Sequence, residues 1–327
     1  MSDLVKAVTF DPDTVVSKRT MARLEESVPA ATRRAYAYAW QRFTTWCAQQ
    51  QPARRCLPAS PQTLVEYVVH LTDDEGLSPA TVEQAIAAIR REHRVRGHAG
   101  QPDTLPALAV LRAYKRRCAD QGRTTRQAPP VTPRQVREMV DACDPTTVAG
   151  ARDRLILVLG VSAMLRRSEL AALTWADVTV TEDGLEVRVR ASKTDQAGAG
   201  TVVAVPRGRR PGTCPVRVLE AYRAMLGEDT GPLLRRLSKG GRPLGPLSGD
   251  AVNDVVRAAA VRAGLHNAER ITAHSLRASG ATAAYKSGAA VSTIASHGRW
   301  APGSPTVFSY VRAADRWSDN AMAAVDL

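Results

Sequence analysis

Residues 153–190 read DRLILVLGVSAMLRRSELAALTWADVTVTEDGLEVRVR. The first third is an apolar helix, and LRRSELAALTWADV (165–178) carries charge back onto a helical spacing. Then the period changes. In LEVRVR, Leu185, Val187 and Val189 alternate with Glu186, Arg188 and Arg190, the two-residue repeat of a half-buried strand. TVVAVP (201–206) can pair with it, across the polar, Gly-rich turn SKTDQAGAG (192–200). Helix, hairpin and helix in this order predict a domain that is mainly α with a small antiparallel β-sheet.

Downstream, everything after Pro215 reads as helical. Ser248 caps a helix that ends at Gly264, another runs from about Ala273 to Gly288, and a short one ends at Gly298. Ser304 and Pro305 start a further helix carrying Tyr310. Upstream, GRTTRQAPPVTP (122–133) concentrates Gly, Pro, Thr and Arg as an extended basic linker. Before it the chain is all helix. Tyr36, Trp40, Phe43 and Trp46 share one face of a helix beginning at Pro29, an aromatic stripe of the kind that builds a core. PQTLVEYVVHL (61–71) predicts a second helix, the run from Ser78 to Gly97 a third, and Leu105 to Cys118 a fourth. The expected divisions are an N-terminal arm (1–22), a helical domain (23–122), a linker (123–132) and a mixed α/β domain (133–327).

Lys and Arg number 45 against 32 acids in 327 residues, a net charge of +13. Residues 1–127 carry +6 of it and the remainder +7, so the excess is not a tail. Two basic lobes suit a polyanion held between them. Five scattered cysteines without a C-x-x-C pair argue against zinc ribbons and disulfide frameworks, and fit reduced thiols in a cytosol. The histidines do not cluster; His93 and His98 read as part of a solvated basic helix. No apolar run approaches the ~20 residues of a membrane span, and the N-terminus lacks a secretory pattern.

The second domain holds Arg166 at a helix start, Lys193 in the hairpin turn, His274 and Arg277 three apart on a helix, then Trp300 and Tyr310. His274 and Arg277 at i, i+3 can address one oxygen cluster together. Two guanidinium groups can fork onto one phosphate and offset charge developing there. Singly each residue reads equally well as surface or packing; their order along the chain carries the signal.

On these residues the sequence resembles the tyrosine recombinase (phage integrase) family, over nearly its whole length. LRRSELAALTWADV is similar to the family's first-arginine box, AHSLRASGAT (273–282) to its H-x-x-R box, and SHGRWAPGSPTVFSYVR (296–312) to the segment ending at the nucleophile. PASPQTLVEYVVHL and GLSPATVEQAIAAIRREHRVRG resemble its helical core-binding domain. Two features depart from the pattern. The family commonly has His where this chain has Trp300, and the spacing from Trp300 to Tyr310 is slightly longer. His297 competes for that position but lies thirteen before the tyrosine, so Trp300 is preferred. Arg166, three before Glu169, is preferred to Arg167 for the catalytic position.

The resemblance implies a C-shaped clamp on DNA and strand exchange through a 3′-phosphotyrosine and a Holliday junction, with no metal, nucleotide or other cofactor. In that scheme Tyr310 is the nucleophile, His274 the base or proton relay and Lys193 the general acid. Arg166 and Arg277 hold the phosphate, the Trp300 indole N–H is an added donor, and Glu169 supports Arg166. The implied partner is double-stranded DNA bearing an inverted-repeat site. A dimer occupies each site and a homotetramer two, in the bacterial cytoplasm. The 78–97 and 248–264 helices are expected in the major groove, with Thr81, Gln84, Arg91 and Arg94 on the first and Asn253 and Arg257 on the second as candidate DNA contacts. The tail RWSDNAMAAVDL (316–327) is expected to dock on a neighbouring protomer through Ala321 to Val325. A type IB topoisomerase or resolvase, and a non-catalytic DNA-binding protein on the same fold, remain alternatives at this point.

Overall fold

A computed structural model describes residues 28–123, 129–190, 200–301 and 303–315, with isolated positions 17, 19 and 23. The expected arm (1–22), the Lys193 turn and the C-terminal tail therefore lie largely or wholly outside the described residues. The chain forms two compact units, Met1–Arg126 and Gln127–Leu327.

The first unit has four helices: α1 (Ala30–Gln49), α2 (Pro61–Val69), α3 (Pro79–Val95) and α4 (Leu105–Asp120). The aromatic stripe is core: Phe43 and Trp46 of α1 are buried, with ring centroids 5.0 and 5.1 Å from that of Tyr67 on α2. Ser60 and Ser78 cap α2 and α3, each hydroxyl accepting from the amide three residues on, and each helix begins with proline. The last turn of α2 widens into a π-helical segment, His70–Asp74. Val82, Ile86 and Ile89 form the buried face of α3 against α1, while α2 packs on α4.

His93 corrects the sequence reading, because it is wholly buried rather than solvated. Its Nε2 accepts from the Ala59 amide at 2.8 Å and its Nδ1 donates to the Ile89 carbonyl at 2.8 Å, which requires the neutral ring. Burial pushes its pKa down, consistent with that state. The ring ties α3 to the loop preceding α2, a contact to a residue 34 positions away that helical spacing cannot reveal.

In the second unit α5 (Pro133–Asp141) opens with a capping box between Thr132 and Gln135. The apolar α6 (Val148–Ser162) is central and is packed on by α8 (Pro215–Leu226), α5 and α10 (Ala273–Lys286). Between α6 and α8 come α7 (Arg167–Ala172) and a sheet of order β1–β2–β3: Val178–Val180, Gly184–Val189 and Thr201–Pro206. Leu185 faces Val205 and Val187 faces Val203 in antiparallel register, with all four side chains in the core. The expected hairpin is therefore present, and β1 adds a third strand that its three-residue length hid.

The region after Pro215, read from sequence as all helical, is not. A second antiparallel pair, β4 (Arg235–Leu237) and β5 (Pro243–Pro246), interrupts it. Both strands are short and irregular in register, and Arg and Pro fill them, so no alternation marks them. The remaining helices are α9 (Gly249–Arg262), α11 (Val291–Gly298) and α12 (Pro305–Asp315).

Two glycines set the distance between α6 and α10. A Cβ at Gly280 would sit 2.3 Å from the Val161 carbonyl oxygen, and one at Gly160 would sit 2.7 Å from a Leu276 methyl. This close approach brings the start of α10 beside the turn that follows α6. Among the described residues no helix is long and apolar enough to cross a membrane.

Candidate active site

The site is assembled from three chain turns and the helix α12. After α6 ends, Met164 adopts a left-handed conformation with φ +47°, a geometry unfavourable for a residue with a side chain, and the chain turns into α7. Arg166 is the residue preceding α7. Its amide donates to Glu169 Oε2 at 2.8 Å and its Nη1 to Glu169 Oε1 at 2.6 Å, so one carboxylate caps the helix and aims the guanidinium. Burial opposes ionisation of Glu169, but the Arg166 amide and the Arg299 and Arg166 charges outweigh it, and its pKa falls. Arg167 instead reaches Asp250 at the start of α9, so only Arg166 joins this cluster.

At the start of α10, Arg277 is 2% exposed. Its two terminal nitrogens donate to the carbonyls of Met164 and Gly298, and its Cζ lies 4.0 Å from the Trp300 ring centroid, in a cation–π arrangement. Burial, then the charges of Arg166 and Arg299, pushes its pKa down to about 9, which leaves it protonated at neutral pH. Trp300 in turn meets Tyr310 edge-on at 5.8 Å between centroids. A Cβ on Gly298 would lie 1.8 Å from the Trp300 ring, so glycine is what lets the indole lie over the end of α11.

Tyr310, on α12, is buried in a small apolar cluster with Met164, Ala278, Ala281, Ile294 and Val307, apart from the main core. Its Oη and His274 Nε2 are 2.8 Å apart. Burial lowers the His274 pKa, and the Arg277 and Arg166 charges lower it further. Burial raises the Tyr310 pKa, while the same two arginines pull against that rise. A neutral imidazole therefore accepts at Nε2 from a protonated phenol, the geometry of a base poised on a nucleophile.

Of the six expected catalytic residues, Arg166, His274, Arg277, Trp300 and Tyr310 come together, with Glu169 beneath Arg166. Lys193 lies outside the described residues. His297 does not join the phenol; its Nε2 is 2.8 Å from the Ser162 carbonyl, pinning α11 to the end of α6. Arg299 was given no role by sequence reasoning, yet its buried side chain donates to Glu169 Oε2 at 3.0 Å. The only hint was an arginine between a helix-ending glycine and a tryptophan.

On α3, Gln84 and Arg94 are exposed and Arg91 partly so, all opposite the face made by Val82, Ile86 and Ile89. Thr81 is exposed beside the Ser78 hydroxyl, 2.8 Å away. On α9, Asn253 Oδ1 accepts from the Ala273 amide at 3.1 Å, securing the start of the helix that carries His274. Arg257 donates to the Glu269 carbonyl at 3.2 Å and to Asp254 at 3.0 Å, so both α9 candidates already serve contacts within the domain.

The profile of the phage integrase family matches residues 130–316. The chain is 30% identical to an integrase/recombinase xerD homolog of Selenomonas ruminantium over 72% of this chain and 68% of that protein. It is 24% identical to recombinase cre of Escherichia phage P1 over 51% of this chain and 48% of that one. Among solved structures, a lambda integrase dimer bound to a COC′ core site superposes with a TM-score of 0.58 at 17% identity, over 90% of this chain and 95% of that one. The Tn1549 transposon integrase in complex with transposon right end DNA gives 0.57 at 14% identity, over 94% and 98%. With a family profile spanning the domain that assembles Arg166, His274, Arg277 and Tyr310, the chain belongs to the phage integrase family, the tyrosine recombinases, which break and rejoin DNA in site-specific recombination.

Proposed function

We propose that Tyr310 Oη attacks the scissile phosphorus while its proton passes to His274 Nε2. The observation that carries this reading is the 2.8 Å contact between the two, part-buried, with Tyr310 covered, His274 open to solvent, and Arg277 and Arg166 close enough to act on both. A phenol of pKa ~10 is a poor nucleophile at neutral pH, so a neutral acceptor at hydrogen-bond distance removes the main obstacle. Arg166 and Arg277 hold the non-bridging oxygens and meet the charge of the transition state. Trp300 packs Arg277 and flanks the phenol, with its indole N–H as a further donor. Lys193 protonates the leaving 5′-oxygen. The product is a 3′-phosphotyrosine and a free 5′-hydroxyl. Because the phosphoester is conserved, the 5′-hydroxyl of a partner strand reverses the step without ATP, and two such exchanges pass through a Holliday junction. The chemistry draws on the protein's own side chains.

The binding site is an inverted repeat held by a dimer, and two sites are joined in a tetramer, inside a bacterial cell. The +13 charge and the polar outer face of α3 favour a DNA partner, with Gln84, Arg91 and Arg94 as its contacts there. The helical domain (23–122) and the catalytic domain (133–327), joined by the linker 123–132, each supply contacts to the DNA. The tail docks on the neighbouring protomer, and deleting the residues after Ala314 should abolish recombination while sparing binding to a single site. Recombination at the full rate in that variant would exclude tail docking.

The direct test uses a nicked suicide substrate carrying the recombination site, recovered by mapping DNA bound by the protein. A covalent adduct that resists denaturation and EDTA is expected; sustained cleavage without an adduct would exclude the reading.

The His274 environment sets the pH dependence. Its pKa is depressed below the ordinary 6.5, so the ring is neutral at pH 7 and only acid removes the acceptor. Single-turnover cleavage should fall on an acid limb lying below pH 6.5, and His274→Asn should remove that limb along with most of the rate. The sign for stability is the same. The unfolded chain binds this proton more readily than the native one, so the contribution of neutral His274 is present above pH 6.5 and is lost as pH falls through the folded pKa.

A further inference from the structure

Arg299 sits where the end of α11, the turn before α7 and the buried carboxylate converge. It has φ +58°, a left-handed conformation that side chains rarely adopt, and it is 7% exposed. Nη1 donates to the carbonyls of Ala163 (3.2 Å) and His297 (2.9 Å), and Nη2 to those of Met164 (3.0 Å) and to Glu169 Oε2 (3.0 Å). One planar group thus holds both the turn that delivers Arg166 and the backbone that delivers Trp300.

Glu169 divides its oxygens. Oε1 takes the Arg166 guanidinium, and Oε2 takes the Arg166 amide and Arg299. If Arg299 were absent, Oε2 would keep the Arg166 amide but lose its charged partner, so the carboxylate, and the Arg166 guanidinium bonded to its other oxygen, would be held less tightly. The Met164 carbonyl is shared between Arg299 and Arg277, so both phosphate-facing arginines are braced on structure that Arg299 holds.

We propose that Arg299 is a positioning residue for strand cleavage: through Glu169 and the Met164 carbonyl it sets the orientation of Arg166 and Arg277 toward the scissile phosphate. The inference rests on the phosphoryl-transfer reading above. It also accounts for a left-handed, buried arginine, because a lysine offers one point of charge where the fork must reach carboxylate and carbonyls at once.

The test compares wild type, Arg299→Met, Arg299→Lys, Glu169→Gln and the Arg299→Met/Glu169→Gln double variant, by single-turnover adduct formation on the suicide substrate and by binding to uncleaved site DNA. An adduct from the wild type establishes the underlying reading independently; without it, that reading fails and not this one. Arg299→Met should bind DNA with unchanged affinity and cleave roughly 10- to 100-fold more slowly, the scale of a small misplacement of reacting groups. Arg299→Lys should fall between. Around Glu169 the charged groups are Arg166 on its own turn, Arg299 from the residue after α11 and Arg277 from α10. With Arg299 gone, the carboxylate protonates more easily, and a new acid limb should appear at higher pH. In the Glu169→Gln background, Arg299→Met should cost less than in the wild type, the remainder being what it exerts through the Met164 carbonyl. Wild-type cleavage in Arg299→Met would overturn the proposal, as would losses that multiply in the double variant. Should Arg299→Met lose DNA binding as well, Arg299→Lys decides: wild-type rate and pH profile there count against the inference, and a slowed rate with binding intact supports it.

Discussion

Tyr310→Phe is expected to eliminate the covalent protein–DNA adduct, a loss of at least about 10⁴-fold in cleavage, since no other group supplies the attacking oxygen. Binding to site DNA should be unaffected. The phenylalanine ring keeps its contacts with Trp300, Met164 and Ala278, and only the hydrogen bond to His274 Nε2 disappears. That bond is worth about 1 kcal/mol net, so the melting temperature should hardly move. The measurement is a denaturing gel of the suicide-substrate reaction beside a native binding gel. An adduct that survives in the variant would assign the nucleophile elsewhere.

The second large effect is at Arg277. Arg277→Met should slow cleavage by about 10²- to 10³-fold, the usual scale for one preorganised donor aimed at developing charge. Stability should change little, for a reason visible in the site. Three guanidinium groups, Arg166, Arg277 and Arg299, surround the single carboxylate of Glu169, and the pKa of Arg277 is pushed down to about 9 from 12.5. That depression corresponds to roughly 5 kcal/mol of unfavourable surroundings for the charged form. Removing the cation relieves it, whereas the Met164 and Gly298 carbonyls lose their donors at roughly 1–3 kcal/mol each. The two effects nearly cancel. Thermal melts and single-turnover cleavage on the same preparation separate them, and an unfolded variant would mark Arg277 as structural first. The excess positive charge is what a phosphodiester offsets on binding.

Local rules made much of this architecture legible. Ser78 and Ser248 announce helix starts because capping depends on residues three apart. The β2–β3 hairpin declares itself through alternation, and the aromatic stripe through helical period. What failed to show is what depends on distant partners. His93 looked solvated because its partner, the Ala59 amide, is on another segment. The bond from the Ala273 amide to Asn253 could not be read either, because that amide belongs to a different helix. The β4–β5 pair has no alternation to read. In the site, the order Arg166, His274, Arg277, Trp300 and Tyr310 could be read through the resemblance. Arg299 could not, since its importance lies in a carboxylate 130 positions away.

The separation of the Tyr310 cluster from the main core of the catalytic domain has a consequence for how the nucleophile is held. α12 packs on α10 and α11 through this cluster, so displacing it would take the Tyr310 hydroxyl away from His274 while α6, α8 and the sheet keep the contacts they make with one another.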